Sequence, residues 1–270
     1  MMFKDKVIII TGASSGIGLA TAYRFAELKA KLVLAARNIE TLKSIESELT
    51  AKGVQVISVK TDVSIQQDCE NLINKTVEKF GGIDVLINNA GISMRALFAD
   101  LDLEVLRRLM DINFWGTVYC TKYALPYLLK SKGSVVGVSS IAGIKGLPAR
   151  TGYSASKFAM NGFMETLRIE NLKTGLHVLV AAPGFTASNI RKTALAADGS
   201  MQGETPRDED KMMTAQEVAV HLSNAILKRK RTLVLTSQGK LTVLLDKFFP
   251  KFMDKMVYNH MAKEPDSPLK

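Results

Sequence analysis

The chain has 270 residues, 47% of them hydrophobic and 23% charged, with 36 Lys/Arg against 26 Asp/Glu for a formal net charge of +10. That much apolar material supports one large core or two small ones and excludes a disordered, collagen-like or coiled-coil protein. Two cysteines, Cys69 and Cys120, allow no disulfide framework, and no metal-type spacing is present. Residues 1–6 lead straight into an apolar run, so no signal peptide is expected. No uninterrupted apolar stretch of about 18 residues predicts a transmembrane helix. The expectation is a cytoplasmic globular protein.

Residues 7–10 are wholly apolar and stop at Thr11-Gly12, which predicts a buried strand. Ile17, Ala20, Thr21, Arg24, Phe25 and Leu28 then fall at helical spacing. Further apolar runs lie at 32–36, 54–59, 85–87, 135–138 and 178–182, with a weaker one at 233–235. Between the fifth and sixth runs, Ala155, Phe158, Ala159, Gly162, Phe163, Thr166 and Leu167 form a helical stripe whose small residues suit close packing by a neighbour. Strands apolar on both faces, alternating with helices, predict an α/β fold: a doubly wound parallel sheet with right-handed crossovers and helices on both faces. Residues 197–211 are polar and predict a mobile loop over a site, ahead of a helix starting near Thr214. Residues 1–238 are expected to form a single Rossmann-type catalytic domain, and residues 239–270 an amphipathic helical extension.

The segment Thr11-Gly12-Ala13-Ser14-Ser15-Gly16-Ile17-Gly18 follows the first strand and opens the first helix. Gly12 allows a tight turn, while Gly16 and Gly18 let backbone approach a pyrophosphate at the helix N-terminus, where free N–H groups favour anions. The competing explanation is an ordinary glycine-rich strand–helix turn. Past the second strand, where an NAD site places an acid, the chain has Ala36-Arg37-Asn38. A guanidinium pairs with a 2′-phosphate that a carboxylate would repel. This predicts NADP(H), with Arg37 as its main determinant and Ser14 and Asn38 as helpers. The alternative is that Arg37 is a solvated surface residue.

Tyr153 and Lys157 are four apart and lie on one helix face. A nearby ammonium lowers a tyrosine pKa, making Tyr153 usable as an acid for carbonyl reduction or a base for alcohol oxidation. Ser140 would hydrogen-bond the substrate oxygen. Each residue has a plainer reading: a serine ending a strand, a surface Tyr/Lys contact, a satisfied amide at Asn113.

The spacing Gly-x-x-x-Gly-x-Gly resembles the TGxxxGIG pattern of the short-chain dehydrogenase/reductase family. Asn88-Asn89-Ala90-Gly91, Asn113, Ser140, Tyr153-Ser154-Ala155-Ser156-Lys157 and Pro183-Gly184 follow in the family's order over residues 7–188. The resemblance implies that Asn113 belongs to a proton relay and that Lys157 holds the nicotinamide ribose. It implies that Asp62 and Val63 lie against the adenine, although Asp62 could equally cap the helix ahead of Ile65. Asn89, Ala90 and Gly91 border the cofactor, and Pro183, Gly184, Thr186 and Ser188 hold its carboxamide. The C-terminal tail and Tyr153 to Phe158 look like two branches, the 11β-hydroxysteroid dehydrogenase-like enzymes and the 3-ketodihydrosphingosine reductases, the second of which Leu109 to Asn113 and Gly116 to Tyr119 also resemble.

Family loops that line the substrate offer Ile92, Met94, Ile141, Ile144, Leu147, Pro148, Phe185 and Ile190, with Arg95, Arg150, Arg191 and Lys192 nearby. This apolar lining with a basic mouth suits a hydrophobic ketone or alcohol of lipid, sphingoid or steroid type. Lys228-Arg229-Lys230-Arg231 precedes a stretch, 239–258, in which bulky apolar residues interleave with lysines and Pro250 should divide two short helices. That pattern describes a peripheral membrane contact. A pocket lid or a subunit interface fits equally well. The leading expectation is an NADPH-dependent ketone reductase that assembles as a homodimer or homotetramer. The alternatives are a 3-oxoacyl thioester reductase and a noncatalytic NADPH-binding scaffold. No nucleic-acid-binding motif accompanies the charge, and no metal is expected.

Overall fold

The computed structural model describes residues 3–205, 212–265 and 267–269. Seven parallel strands form one sheet: β1 (Val7–Thr11), β2 (Lys31–Ala36), β3 (Val56–Lys60), β4 (Val85–Asn88), β5 (Ser134–Val138), β6 (His177–Ala182) and β7 (Thr232–Val234). Their spatial order is β3-β2-β1-β4-β5-β6-β7. All seven expected runs became strands; most are apolar at every position and buried on both faces, while the edge run at 54–59 carries Gln55 and Ser58 and is only partly buried.

Alternate residues of each strand feed two cores. Ile8, Ile10, Leu32, Leu34, Val136 and Leu179 pack against α1 (Gly16–Glu27), α2 (Ile39–Ala51) and α7 (Ala215–Leu227). Ile9, Val33, Leu86, Val135 and Val178 pack against α3 (Gln66–Phe80), α5 (Gly116–Ser131) and α6 (Thr151–Glu170). The chain therefore folds as a single Rossmann-like domain. The strand order reverses between β1 and β4, the switch point where such sheets bind ligands at their carboxyl ends.

α4 (Leu103–Met110) runs into α5 through a π-helical turn, Asp111–Trp115, which carries Asn113. Single π turns inside helices often mark functional sites. Thr214 caps α7 with its hydroxyl on the Glu217 amide, and the Glu217 carboxylate returns to the Thr214 amide. After β7 come α8 (Ser237–Phe248) and α9 (Pro250–Ala262), divided at Pro250 as its fixed φ and missing N–H require. Of the polar loop expected at 197–211, residues 206–211 lie outside the described residues.

The stripe expected on α6 is divided: Leu167 is in the core and Phe163 packs against it, while the rest lies towards the surface. Ala155 and Gly162 are exposed and Phe158 is 46% exposed, whereas Gly152, Ser154, Ser156, Lys157, Met160, Met164 and Leu167 are buried. The buried face includes hydroxyls and an ammonium because it carries the site. Its polarity hid it from a reading based on apolar spacing.

Candidate active site

Two depressions lie at the carboxyl ends of the strands, the larger beside β1 and β4 and the smaller beside β5 and β6. The larger, a cleft of about 430 Å³, is lined by Gly12, Ser14 to Ile17, Arg37, Asn38, Asp62, Val63, Asn89 to Ile92 and Ser188. Gly12 has φ +66°, and a Cβ there would lie 2.9 Å from the Ala90 Cα. At Gly18 a Cβ would fall 2.2 Å from the Gly12 carbonyl oxygen. Side chains at these positions would force apart the turn, the first helix and the β4 loop. The backbone therefore stays bare at the helix N-terminus, which suits a pyrophosphate.

The loop is braced by Thr11, a residue without an expected role of its own. Its hydroxyl accepts from the Asn89 and Ala90 amides at 3.0 Å each, and the Asn89 side chain donates to the Thr11 carbonyl at 2.9 Å. Arg108 of α4 also lines the cleft, without any motif that could have announced it.

Two expectations change at the cleft's far end. Asn38 caps α2, its side chain accepting from the Thr41 amide at 3.1 Å, so its oxygen already has a partner. Asp62 does not cap α3, where Ile65 holds the N-cap position without a side-chain bond. Its Oδ1 instead accepts from the Ser64 amide and hydroxyl at 3.0 and 2.6 Å. Arg37 is exposed and lines the cleft.

Ser140, Tyr153 and Lys157 come together beside this cleft. Ser140 follows β5, its hydroxyl accepts from the Ala142 amide at 3.2 Å, and it sits near enough to Tyr153 to pull that tyrosine's pKa down. Lys157 is 3% exposed, donates to the Val138 carbonyl at 2.9 Å and lies 5.9 Å from the Tyr153 ring centre. Burial alone pulls its pKa down to about 8. The Tyr153 pKa, expected to be lowered, is raised. Burial pushes it up more than the Ser140 hydrogen bond and the charges of Arg150 and Arg191 pull it down. The tyrosine therefore holds its proton at neutral pH, as a proton donor must.

Asn113 is fully buried. Its Oδ1 accepts from the Ile92 amide at 2.9 Å, and its Nδ2 donates to the Ile92 carbonyl and the Ser156 hydroxyl at 3.0 and 2.9 Å. The side chain thus positions the β4 loop against α6. A proton relay would have to use its backbone carbonyl, which accepts from the Thr117 hydroxyl.

The second depression is an apolar cavity of about 160 Å³, lined by Ser140, Ile141, Leu147, Gly184 and Phe185 on one side. Leu241, Leu245, Met253, Met256, Val257, His260 and Met261 of α8 and α9 close the other side. These helices are tied down by Lys145, which reaches Asp246 at 2.7 Å and Asp254 at 2.6 Å. Ile92 and Ile190 line the cleft rather than this cavity, and Met94 is buried in a separate cluster with Leu109 and Leu195. Thr186 is buried with its hydroxyl unpartnered among the described residues, and Gly184 at φ +79° turns the chain after β6.

A bare helix N-terminus at the switch point, beside a Ser/Tyr/Lys group, defines a nicotinamide-dependent oxidoreductase of Rossmann type. Comparison with known proteins makes this specific. The short chain dehydrogenase family model matches residues 6–199, and the chain belongs to that family. It is 37% identical over 260 residues to 11-beta-hydroxysteroid dehydrogenase A of Arachis hypogaea, covering 92% of this chain and 73% of that protein. A Burkholderia phymatum short chain dehydrogenase/reductase solved in complex with NAD superposes with a TM-score of 0.83 at 26% identity, over 93% of this chain and 96% of that one. An alcohol dehydrogenase from Thermococcus sibiricus complexed with 5-hydroxy-NADP gives 0.76 at 27%, over 86% and 96%.

Proposed function

We propose that the protein reduces a ketone borne on a hydrophobic molecule to a secondary alcohol, with NADPH as reductant. The observation that carries this reading is the apolar cavity, whose wall includes Ser140, the residue that pulls the Tyr153 pKa down from its neighbouring position. A carbonyl oxygen placed there meets two O–H donors. The bound cofactor supplies a hydride. Ser140 steadies the oxygen as charge develops on it, and Tyr153 delivers the proton. Lys157 places a positive charge behind Tyr153, within reach of ribose hydroxyls. Asn113 fixes the loop that carries Gly91, beside which both Asn113 and Lys157 lie.

Arg37 supports NADPH over NADH, since it lines the cleft past β2 where an NAD-binding chain would offer an acid. The related solved structures carry one cofactor of each type, so the preference rests on this side chain. A cavity of about 160 Å³ is on the scale of a benzene-sized guest. A steroid- or lipid-sized ketone therefore requires α8 and α9 to yield. Two further readings concern surfaces. The exposed α6 stripe with Phe158 and Gly162 is read as the face on which a second copy pairs. Leu244, Phe248, Phe249 and Phe252, exposed among Lys247, Lys251 and Lys255, are read as a peripheral contact with an anionic membrane surface. Free, buried Cys69 and Cys120 suit a reducing compartment such as the cytoplasm.

The test is NADPH oxidation screened over 3-ketosphinganine, steroid ketones and acetoacetyl thioesters, with Tyr153→Phe beside the native protein. Turnover of a hydrophobic ketone that falls at least about a hundredfold in the variant, with NADPH binding kept within about twofold, is the expected result. Turnover of the thioester alone would replace this reading with a 3-oxoacyl reductase. Substantial turnover in the variant would remove Tyr153 from its role.

A further inference from the structure

The turn that follows Ser140 is too short to hold its own shape. Ile141–Gly143 is a single 3₁₀ turn, closed by the Gly143 amide on the Ser140 carbonyl at 3.0 Å. One such turn has too few hydrogen bonds to persist alone, so its shape is set by what it packs against. Yet this turn governs the Ser140 side chain. The Ala142 amide donates to the Ser140 hydroxyl oxygen at 3.2 Å. That bond occupies a lone pair of the oxygen and leaves the O–H proton to point elsewhere. Ser140 is thereby preset as a donor, which is what an oxygen gaining negative charge requires.

The hold on the turn comes from α6. Asn161 lies one helical turn beyond Lys157, and its Nδ2 donates to the Gly143 carbonyl at 2.8 Å. Ala142 and Gly143 are buried. No side chain fits at position 143. A Cβ there would lie 2.9 Å from both Asn161 Nδ2 and the Lys157 carbonyl oxygen, and 2.8 Å from the Ser139 hydroxyl oxygen. The turn is therefore seated directly on the stretch of α6 that carries Lys157. The Asn161 amide is also oriented at a cost. Its Oδ1 is buried with no hydrogen-bond partner among the described residues. Turning the amide over would set that oxygen against the Gly143 carbonyl, so the donor must face the turn. Asn161 lines neither the cleft nor the apolar cavity.

We propose that Asn161 is a positioning residue for Ser140. By gripping the Gly143 carbonyl it keeps the Ala142 amide on the Ser140 hydroxyl, and so fixes the direction in which that hydroxyl donates to the substrate oxygen. The role toward a substrate rests on the ketone-reductase reading, whereas the grip itself does not.

The test uses Asn161→Asp, which keeps the shape of the side chain but sets an acceptor against the Gly143 carbonyl. Amide hydrogen exchange of the full-length, NADPH-loaded protein, followed residue by residue, reads the turn. The amides of Ala142 to Lys145 should exchange at least about tenfold faster in the variant. Ketone reduction reads the consequence, with whichever of 3-ketosphinganine, a steroid ketone and acetophenone the native protein reduces fastest. The kcat should fall about 10- to 100-fold, with the KM for the ketone and the Kd for NADPH within about threefold. Asn161→Gln, which keeps an N–H donor on a longer arm, should recover part of the loss. In a Ser140→Ala background, Asn161→Asp should cost less than about twofold more. An equal cost in both backgrounds, or unchanged exchange at Ala142, overturns the proposal and leaves Asn161 a structural residue. Should Asn161→Asp no longer bind NADPH, Asn161→Ser, which only withdraws the grip, carries the same comparisons. A native protein that reduces none of the three ketones refutes the reductase reading, and the exchange comparison then decides the grip alone.

Discussion

Lys157 should destabilise the fold that it serves. Its ammonium is buried among groups that give it one carbonyl, Val138, at 2.9 Å. A pKa lowered from 10.5 to about 8 makes the charged form about 3 kcal/mol less favourable in the folded chain than in the unfolded one. Between pH 8 and 10.5 the unfolded chain keeps this proton while the folded chain has lost it, so stability rises with pH through that window. Lys157→Met has no such group. Above the window both side chains are neutral, and the variant lacks only the Val138 hydrogen bond, worth about 1 kcal/mol. Below it the native protein carries the full penalty, so the variant should be about 2 kcal/mol more stable at about pH 7. The ordering should invert at pH ~9.8, where the remaining penalty falls to the roughly 1 kcal/mol of that hydrogen bond. Urea unfolding of both proteins without cofactor, at several pH values across the window, reads the difference directly. Other groups titrate there too, but they cancel between the two proteins unless they touch Lys157. A stability difference constant within about 0.5 kcal/mol over the whole range would refute the idea that a charged lysine is held in the dry interior. The variant should also lose turnover, which would explain why a destabilising residue sits at this position.

Three further outcomes follow from the same geometry. Arg37→Asp should raise the KM for NADPH by about 10- to 100-fold and leave that for NADH unchanged or lower, read from initial rates with each cofactor. Equal use of both cofactors by the native protein would remove Arg37 as a determinant. Gly162→Trp puts a Cβ on the exposed face of α6, where it meets nothing within 4 Å beyond its own helix and chain neighbours among the described residues. It should leave the thermal midpoint of the protomer nearly unchanged but lower the mass in sedimentation, and an unchanged assembly would show that subunits pair elsewhere. Phe248→Glu with Phe252→Glu should abolish co-sedimentation with vesicles of phosphatidylcholine and phosphatidylserine while sparing NADPH binding. Equal vesicle binding by the variant and the native protein would leave the apolar face of α8 and α9 without that role.

The sheet was legible because parallel strands buried on both faces must be apolar at every position, as residues 8–10 and 178–182 are. The glycine loop and the Tyr153/Lys157 pair were legible because their chemistry depends on spacing within one turn and one helix. What stayed hidden depended on contacts between distant segments. Thr11 reads as the last residue of a strand until Asn89, 78 positions later, donates two hydrogen bonds to it. Asp62 and Asn38 are both plausible caps by spacing, and only one of them caps. The α6 stripe was legible only in part, at Phe163 and Leu167, for a different reason. Apolar periodicity finds the greasiest face of a helix, yet a helix that presents catalytic groups inward turns its polar side to the interior and leaves Phe158 outside.

The same reasoning bears on the net charge. A surplus of cations on a surface speaks only to solubility and to partners in general. Arg95, Arg150 and Lys157 are not on the surface, with side chains 9%, 12% and 3% exposed. Each buried cation is destabilising unless an anion or a polar group meets it: Arg95 and Arg150 pair with Glu264, and Lys157 donates to the Val138 carbonyl. The part of the charge that matters for chemistry is therefore the part that composition cannot locate. Arg150, three residues before Tyr153, pulls the pKa of that tyrosine down against the burial that raises it.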